Sequence, residues 1–245
     1  MASRQRIDRL LVERGLFESR AKAQAAIAAG LVTADETVVA KASDEIATDA
    51  VLRAEPAHPW VSRGGIKLAA ALGHFGSAFD PAGRICLDVG ASTGGFTQVL
   101  LARGAKRVYA VDVGRGQLHP SLHTRTDIVS IEATDIRALA AARLPEPPDF
   151  VTADVSFISL KLVLPSALAL ATTPACLLAL IKPQFEAGRS DVKKGIVRDP
   201  LVHVRVCEDI AAFVTSLGWS VAGTVPSPIA GGDGNCEFVI GAQRR

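Results

Sequence analysis

The stretch Ile85-Cys-Leu-Asp-Val-Gly-Ala-Ser-Thr-Gly-Gly-Phe-Thr97 decides the fold. Its apolar beginning predicts a strand, its glycines predict a tight turn, and the apolar residues 99–101 that follow at helical spacing predict a helix. Glycines in such a turn let a ligand approach the backbone closely, and the amide hydrogens at the start of the helix point toward that ligand. We therefore expect a nucleotide-type pocket here, although a strand-to-helix turn can also be purely structural.

The spacing of these glycines favours one class of cofactor. A dinucleotide fingerprint has the form G-x-G-x-x-G, whereas this turn reads Gly90-x-x-x-Gly94-Gly95, with Asp88 two residues before the first glycine. The Asp88 carboxylate suits the ammonium end of an amino-acid-like ligand. Asp112, which ends the next apolar run, can accept hydrogen bonds from two ribose hydroxyls. Together these features favour S-adenosylmethionine over a dinucleotide.

The expected cofactor contacts extend along the turn and to one further acid. Asp135 lies in Glu132-Ala-Thr-Asp135, where its carboxylate can either reach an adenine amino group or cap the helix that follows. The expected cofactor-binding residues are Asp88, Gly90, Ala91, Ser92, Thr93, Gly94, Gly95, Phe96, Asp112 and Asp135.

Apolar runs alternate with helical stretches along most of the chain. After the first strand, we predict strands at about 107–113, 128–132, 150–155, 176–181, 219–225 and 236–240. This alternation predicts an α/β fold with a doubly wound, Rossmann-like, mostly parallel sheet. Helical stretches at 7–14 and 19–29, followed by short strands, predict a small α+β domain over 1–55. Two prolines then predict a linker at 56–66, and residues 67–245 are expected to form the larger domain.

Charge and cysteine usage narrow the class of protein. Residues 1–30 hold six basic groups against three acids, which predicts either a face for nucleic acid or simply solvated helices. The four cysteines lie far apart and never form C-x-x-C, so we expect neither a metal site nor a disulfide framework. The first residues lack the apolar core of a signal peptide, and we expect a cytoplasmic protein.

One stretch raises the question of a membrane span. Residues 162–181 carry no charge, but they contain Pro165 and Pro174. We therefore predict a buried helix, a turn and a short buried strand rather than a transmembrane helix, and no stable membrane association.

Charged residues at strand ends are the candidates for chemistry, because ligands of doubly wound sheets bind at the carboxyl ends of the strands. Asp154 and Lys182 end two successive strands, Lys67 follows a glycine pair, and Glu237 lies in a glycine-rich segment. Two lysines and two acids around a methyl donor suit methylation of an alcohol, whose hydroxyl must lose its proton as it attacks the methyl group. We assign Lys182 as general base, since burial and the second cation Lys67 both favour its neutral amine. Asp154 and Glu237 would orient the ammonium groups and the hydroxyl, while a structural ion pair remains the alternative for Asp154 and Lys182.

The beginning of the chain resembles a known RNA-binding module. This part of the chain is similar to the small domain named after the fourth small-subunit ribosomal protein. The similarity lies in Arg6-Ile-Asp8-x-Leu10-Leu11, in Ser19-Arg20 and in the residues at helical spacing after them. Where that family usually has an Asn-Gly turn, this chain has Asp35-Glu36. The resemblance implies phosphate contacts by Arg4, Arg6, Arg9, Arg20, Lys22 and Lys41.

The remaining motifs complete the resemblance. The chain resembles the TlyA family, whose catalytic half is similar to the FtsJ-like ribose 2′-O-methyltransferases. The motifs that carry this resemblance are Ser62-Arg-Gly-Gly-Ile-Lys67, the glycine turn, Ala153-Asp-Val-Ser-Phe-Ile158, Ile181-Lys-Pro-Gln-Phe-Glu186 and Gly234-Asn-Cys-Glu-Phe238. The resemblance implies an S-adenosylmethionine-dependent enzyme that methylates cytidine in ribosomal RNA, with the large subunit favoured as partner. Its catalytic Lys-Asp-Lys-Glu set falls on Lys67, Asp154, Lys182 and Glu237.

Further RNA contacts are expected outside the first domain, from Arg63 and from the basic loop 189–198, which is either a mobile lid over RNA or a plain surface loop. The residues concerned are Arg63, Arg189, Lys193 and Lys194.

Three other functions remain open. A base methyltransferase would place an Asn/Asp-Pro-Pro-aromatic motif where this chain has Asp154-Val-Ser-Phe157, and it is the second choice among enzymes. A membrane-active haemolysin, the label historically attached to relatives, has only the uncharged stretch in its favour. A non-catalytic RNA-binding protein would leave the glycine turn and the four charged residues without a role.

Overall fold

The computed structural model describes residues 3–231 and 234–245, and the chain divides into two units, Met1–Pro59 and Trp60–Arg245. The division falls inside the predicted linker 56–66, while the first helix of the second unit already begins at Gly64. Each unit has a hydrophobic core of its own.

The first unit is a small α+β domain. Its elements are strand β1 (Arg4–Arg6), helix α1 (Ile7–Glu13), helix α2 (Arg20–Ala28) and strands β2 (Val32–Ala34), β3 (Thr37–Val38), β4 (Glu45–Ala47) and β5 (Leu52–Ala54). Strand β1 pairs with β4, and β2 lies between β3 and β5, all antiparallel. The Ser19 side chain accepts a hydrogen bond from the Lys22 amide and so begins α2. Both predicted helices are confirmed, whereas β1, β4 and β5 were not predicted.

The turn between β2 and β3 departs from ordinary backbone geometry. Asp35 and Glu36 both have positive φ, 46° and 65°, in the left-handed region that favours Gly and Asn. The Asp35 carboxylate accepts a hydrogen bond of 2.9 Å from the Val51 amide, which gives Asp35 a compensating contact. Glu36 also has a positive φ, and its side chain is exposed.

The second unit is built on one seven-stranded sheet. Its strands are β6 (Ile85–Val89), β7 (Arg107–Val111), β8 (Ile128–Ile131), β9 (Phe150–Ala153), β10 (Ala175–Ile181), β11 (Ser220–Pro226) and β12 (Phe238–Arg244). Its helices are α3 (Gly64–Phe75), α4 (Gly95–Ala102), α5 (Pro120–His123), α6 (Leu160–Ala169), α7 (Pro183–Glu186) and α8 (Pro200–Ser216), with short 3₁₀ helices at Gly76–Phe79, Ile136–Ala138 and Ala141–Arg143. The strand order is β11-β12-β10-β9-β6-β7-β8, with β12 antiparallel to both neighbours and the others parallel.

Helices cover both faces of this sheet. One core cluster joins α3 and α4 to the sheet through residues such as Leu68 and Leu100, and the other joins α6 and α8 through residues such as Leu164 and Ile210. Because both faces are covered, the central strands are nearly continuous apolar runs, and every residue of β10 is buried. The predicted doubly wound sheet is confirmed.

The uncharged stretch 162–181 forms most of helix α6, a turn and strand β10, as predicted. In residues 3–231 and 234–245, no helix is both long enough and apolar enough to cross a membrane.

The strand order fixes where a ligand can bind. Strands β7 and β8 follow β6 on one side of it, whereas β9 and β10 lie on its other side. The order in which strands are added to the sheet therefore reverses at β6. The glycine turn, Asp112, Asp154 and Lys182 each follow the carboxyl end of a parallel strand. Glu237 reaches the same edge because it precedes the antiparallel strand β12.

The strained turn gives a test of stability. Replacing Glu36 with glycine should raise the free energy of unfolding by about 1 kcal/mol, because glycine adopts positive φ without the steric cost of a side chain. Chemical denaturation of the full chain measures the change. The matched control is Glu36→Ala, which removes the same charge but keeps a Cβ, and it should not stabilise. Equal stabilisation by both variants would show that charge rather than backbone strain is at work.

Candidate active site

The glycine turn after β6 is packed too tightly for side chains. Gly90 and Gly94 have φ of 80° and 92°. A Cβ added at Gly90 would lie 2.5 Å from the Asp154 carbonyl oxygen, and one at Gly94 would lie 2.5 Å from Leu122 Cδ1. A Cβ at Gly95 would collide with the Ser62 hydroxyl. The packing of the turn against its neighbours therefore requires glycine at these three positions, and the turn joins the carboxyl end of β6 to the start of α4, where a nucleotide-type ligand can meet backbone amides.

Asp88 lies beneath this turn and has no exposed surface. Its carboxylate accepts hydrogen bonds from the hydroxyls of Thr97, at 2.6 Å, and Thr152, at 3.0 Å. Burial raises the pKa of Asp88 to about 6, although the two threonines act in the opposite direction. In this structure Asp88 therefore holds helix α4 to the sheet, and its predicted contact with a ligand's ammonium group stays a prediction.

Asp112 connects the turn to the next loop. Its two carboxylate oxygens accept hydrogen bonds of 2.7 Å from the amides of Ser92 and Gly114. It is half-buried at the carboxyl end of β7, beside the glycine turn. A carboxylate has further lone pairs, so the predicted ribose contact is compatible with these two bonds.

Asp135 caps the 3₁₀ helix that follows it. Its side chain accepts hydrogen bonds from the amide and the guanidinium of Arg137, and these bonds lower the pKa of Asp135 below its usual value. Of the two predicted roles, the cap is present, while the adenine contact stays a prediction.

Four charged side chains form two ion pairs at the carboxyl edge of the sheet. Lys182 Nζ lies 2.6 Å from Asp154 Oδ1, and Lys67 Nζ donates a hydrogen bond to Glu237 Oε2. Both lysines are 8% exposed, and Glu237 is 5% exposed. Ile181 pairs with Phe238 in the ladder between β10 and β12, so Lys182 and Glu237 stand next to this pair on facing strands. The structure thus brings the four predicted residues to the same edge; the pair of Asp154 and Lys182 was expected, whereas the pairing of Lys67 with Glu237 was not.

The second ion pair is held by the loop that carries Glu237. The Glu237 carbonyl accepts a hydrogen bond of 2.8 Å from the Ser227 amide, and a Cβ on Gly231 would lie 2.6 Å from Glu237 Oε1. Arg63, predicted to bind RNA, donates to the Ala230 carbonyl of the same loop. Gly232, one of the glycines expected to fold this acid back over the site, and its neighbour Asp233 lie outside the described residues.

Ser156 and Phe157 were not predicted to belong to the site. Lys182 Nζ donates a hydrogen bond of 2.8 Å to Ser156 Oγ. Phe157 has a φ of 64°, is 90% exposed, and its ring centroid lies 5.2 Å from that of Phe185. Both residues stand in the motif that contains Asp154, which was the only signal for them in the sequence.

Three further residues that the sequence did not single out shape the loops around the site. Glu132 accepts hydrogen bonds from the amides of residues 116–118, and these bonds lower the pKa of Glu132. Glu186 accepts from the Ser159 hydroxyl and the Leu160 amide, and burial raises the pKa of Glu186. Asn235, in the segment that carries Glu237, contacts the basic loop 189–198.

The basic loop is fastened to the segment that carries Glu237. Asn235 is 1% exposed; its side chain accepts a hydrogen bond of 3.1 Å from the Val197 amide and donates one of 2.9 Å to the Gly195 carbonyl. The predicted RNA contacts Arg189, Lys193 and Lys194 of this loop are exposed. Their mobility and RNA contact stay predictions.

The predicted phosphate contacts of the first unit lie at its surface in different settings. Arg9 and Lys41 are exposed, Arg4 donates to the Glu45 carbonyl, and Lys22 pairs with Glu18. Arg6 and Arg20 both pair with Asp8.

In the described part of the chain, no group of three His, Cys, Asp or Glu side chains could hold a metal ion.

Comparison with known proteins identifies the family. Residues 60–244 match the FtsJ-like methyltransferase family, and residues 5–52 match the S4 domain. The chain is 44% identical over 245 residues to TlyA of Mycobacterium tuberculosis, a 16S/23S rRNA (cytidine-2′-O)-methyltransferase, covering 98% of this chain and 90% of the relative. The chain belongs to the TlyA family of FtsJ-like methyltransferases.

Two other relatives carry a different name. Hemolysin A of Brachyspira hyodysenteriae is 37% identical to this TlyA-family chain over 236 residues, covering 96% of this chain and 98% of the relative. A solved structure of a candidate hemolysin from Streptococcus thermophilus superposes with a TM-score of 0.77 and 40% identity, covering all of this chain and 90% of the other. The resemblance and the fold predicted from the sequence are both confirmed.

The burial of Asp88 gives a pH-dependent test. Because burial raises its pKa from about 4 in an unfolded chain to about 6, its contribution to stability is greatest at low pH and is lost as pH rises through 6. The free energy of unfolding of Asp88→Asn relative to wild type should therefore increase by about 2 kcal/mol between pH 4 and pH 7. Urea denaturation over this range measures the difference, with the exposed acid Asp80 as control in Asp80→Asn. A flat difference for Asp88→Asn would mean that Asp88 titrates normally.

Proposed function

We propose that this chain methylates the ribose 2′-hydroxyl of a cytidine in ribosomal RNA, with S-adenosylmethionine as methyl donor and the large subunit as favoured partner. The observation that carries the proposal is the meeting of the Lys182–Asp154 and Lys67–Glu237 pairs at the carboxyl edge of the sheet. The reaction and substrate named for the relative from Mycobacterium tuberculosis agree with this chemistry.

The glycine turn fits the donor, because it leads from the carboxyl end of β6 into the start of α4, where the first amides of a helix have no partner within the helix. S-adenosylmethionine, when bound, supplies a methyl group activated by the positive sulfonium. The turn residues 90–96 would hold the methionine part, Asp112 the ribose hydroxyls and Asp135 the adenine amino group. Asp88 would either accept a hydrogen bond from the ammonium group of the methionine part or hold in place the turn that binds this part.

Lys182 would act as general base. Its neutral amine accepts the proton of the 2′-hydroxyl as the oxygen attacks the methyl group, and Asp154, 2.6 Å away, stabilises the ammonium that forms. Lys67 supplies a second positive charge near the attacking oxygen, and Glu237 fixes its orientation. These groups are held by strands and by buried contacts, so the hydroxyl can be aligned without reorganising the site.

The RNA would bind through two basic surfaces, one in each unit. In the first unit the contacts are proposed for Arg4, Arg6, Arg9, Arg20, Lys22 and Lys41, and in the second for Arg63, Arg189, Lys193 and Lys194. The exposed ring of Phe157, next to the serine that contacts Lys182, suits stacking on an RNA base. Ribosomal RNA as partner implies a cytoplasmic location, and the two units would serve as RNA-binding domain and methyltransferase domain.

Methyl transfer to ribosomal subunits tests this proposal. Labelled S-adenosylmethionine is incubated with large and small subunits from cells lacking this protein, and alkali-stable label in the RNA is counted. Lys182→Ala should lower kcat by about 10²- to 10⁴-fold, because the general base is lost, while the Kd for S-adenosylmethionine stays within about threefold.

The matched control is Lys161→Ala, which removes an exposed lysine of helix α6 and should keep full activity. Transfer that is equal in both variants would refute Lys182 as base. Label recovered in mononucleotides after alkaline hydrolysis, rather than in alkali-resistant dinucleotides, would support the base methyltransferase instead.

A further inference from the structure

Asp8, in helix α1 of the first unit, is a buried acid inside a basic surface. Its side chain has no exposed area, yet it lies among the residues proposed to bind RNA. The carboxylate accepts hydrogen bonds from three side chains. Arg6 donates from Nε and Nη2, at 3.1 Å each, Arg20 donates from Nε at 3.2 Å and from Nη2 at 2.6 Å, and Gln24 donates from Nε2 at 2.8 Å.

This arrangement keeps Asp8 charged. The hydrogen bonds from Arg6, followed by those from Arg20 and Gln24, hold the pKa of Asp8 well below its usual range, although burial acts in the opposite direction. One carboxylate thus faces two guanidinium groups, and the cluster keeps a net positive charge. The two arginine side chains are still 40% and 48% exposed.

The geometry leaves one side of each arginine for another acceptor. Asp8 uses Nε and Nη2 of both guanidinium groups, so it does not use Nη1 of either. A guanidinium has donors on more than one edge, and two oxygens of one phosphate can accept hydrogen bonds from two neighbouring N–H groups of a guanidinium. Each arginine can therefore keep its hydrogen bonds to Asp8 through Nε and Nη2 and bind a phosphate through the edge that carries Nη1.

We propose that Asp8 is a positioning residue for RNA, which holds Arg6 and Arg20 as a rigid pair of phosphate-binding groups. This inference rests on the proposed RNA binding by the first unit. A free arginine must lose many side-chain conformations when it binds, whereas an arginine already fixed by Asp8 and packed at the surface loses fewer. Gln24 completes the cluster by holding the carboxylate itself in place.

The proposal makes a prediction opposite in sign to simple electrostatics. A carboxylate near an RNA surface repels phosphates, so charge alone predicts that removal of Asp8 tightens RNA binding. If Asp8 positions the two arginines, its removal weakens binding, because the asparagine amide group donates toward a guanidinium that can only donate.

Binding of purified large ribosomal subunits to the full chain, measured as Kd over a series of KCl concentrations, separates the two accounts. Asp8→Asn should raise Kd about tenfold at every salt concentration and leave the slope of log Kd against log salt unchanged, because both cations remain. The matched control Glu36→Gln removes the same charge from an exposed position of the same unit and should leave Kd unchanged or slightly lower. A Kd for Asp8→Asn equal to or below that of wild type would overturn the proposal.

A second variant keeps the test decisive if Asp8→Asn is found unfolded by chemical denaturation. Arg20→Lys retains the charge and Asp8 but loses the planar fork, so it should raise Kd as Asp8→Asn does. Binding equal to wild type would show that charge alone matters and would overturn the proposal.

Arg6→Ala and Arg20→Ala test the underlying RNA contact separately. Each should weaken binding and reduce the salt slope by about 0.7 to 1, as expected for the loss of one phosphate contact. If neither variant changes Kd, the proposed RNA contact of these arginines fails, and the role of Asp8 fails with it. If both weaken binding but Asp8→Asn does not, the RNA contact stands and the positioning role alone is refuted.

Discussion

The antiparallel pairing of β12 with β10 is the constraint on which the active site depends. The ladder runs without a break from the pair Ala175 and Arg244 to the pair Ile181 and Phe238. It therefore sets Glu237 beside Lys182, although the two residues are far apart in the chain. A shift of the register by one residue would turn Glu237 to the other face of the sheet and separate it from Lys67. The fold holds the acid in place through a full strand of hydrogen bonds rather than through a flexible loop alone.

Burial of the same four charged side chains affects both the stability of the fold and the strength of their interactions with a ligand. A buried lysine or carboxylate is costly unless it is paired, and removal of one partner leaves the other uncompensated. Here each lysine has one carboxylate, and Lys182 also donates to Ser156. The pairs limit the movement of the groups that we propose to act on the hydroxyl. The low exposure of the lysines also keeps water away from them, so their interactions with a bound nucleotide are stronger than at the surface.

The sequence predicted those parts of the structure that follow from local patterns. The glycine turn and the alternation of strands and helices have short-range signals, and the structure places them as expected, with Asp112, Asp154 and Lys182 directly after strand ends. Strands β2 and β3 follow one another across a short turn, whereas β1, β4 and β5 pair with strands that are distant in the chain and have no such local signal. The roles of Asp8, Glu132 and Asn235 depend on partners distant in the chain or on the amides of a loop. Nothing in the sequence distinguishes a polar residue that makes such contacts from one that only faces solvent.

The central claim is that the chemistry takes place on a ribose oxygen with Lys182 as the base. Mass spectrometry of nucleosides from the ribosomal RNA of cells with and without this protein tests it most directly. The account predicts that 2′-O-methylcytidine is lost when the protein is absent, returns with the wild-type chain, and does not return with Lys182→Ala. Restoration by Lys182→Ala, or a loss of base-methylated nucleosides in place of 2′-O-methylcytidine, would contradict it.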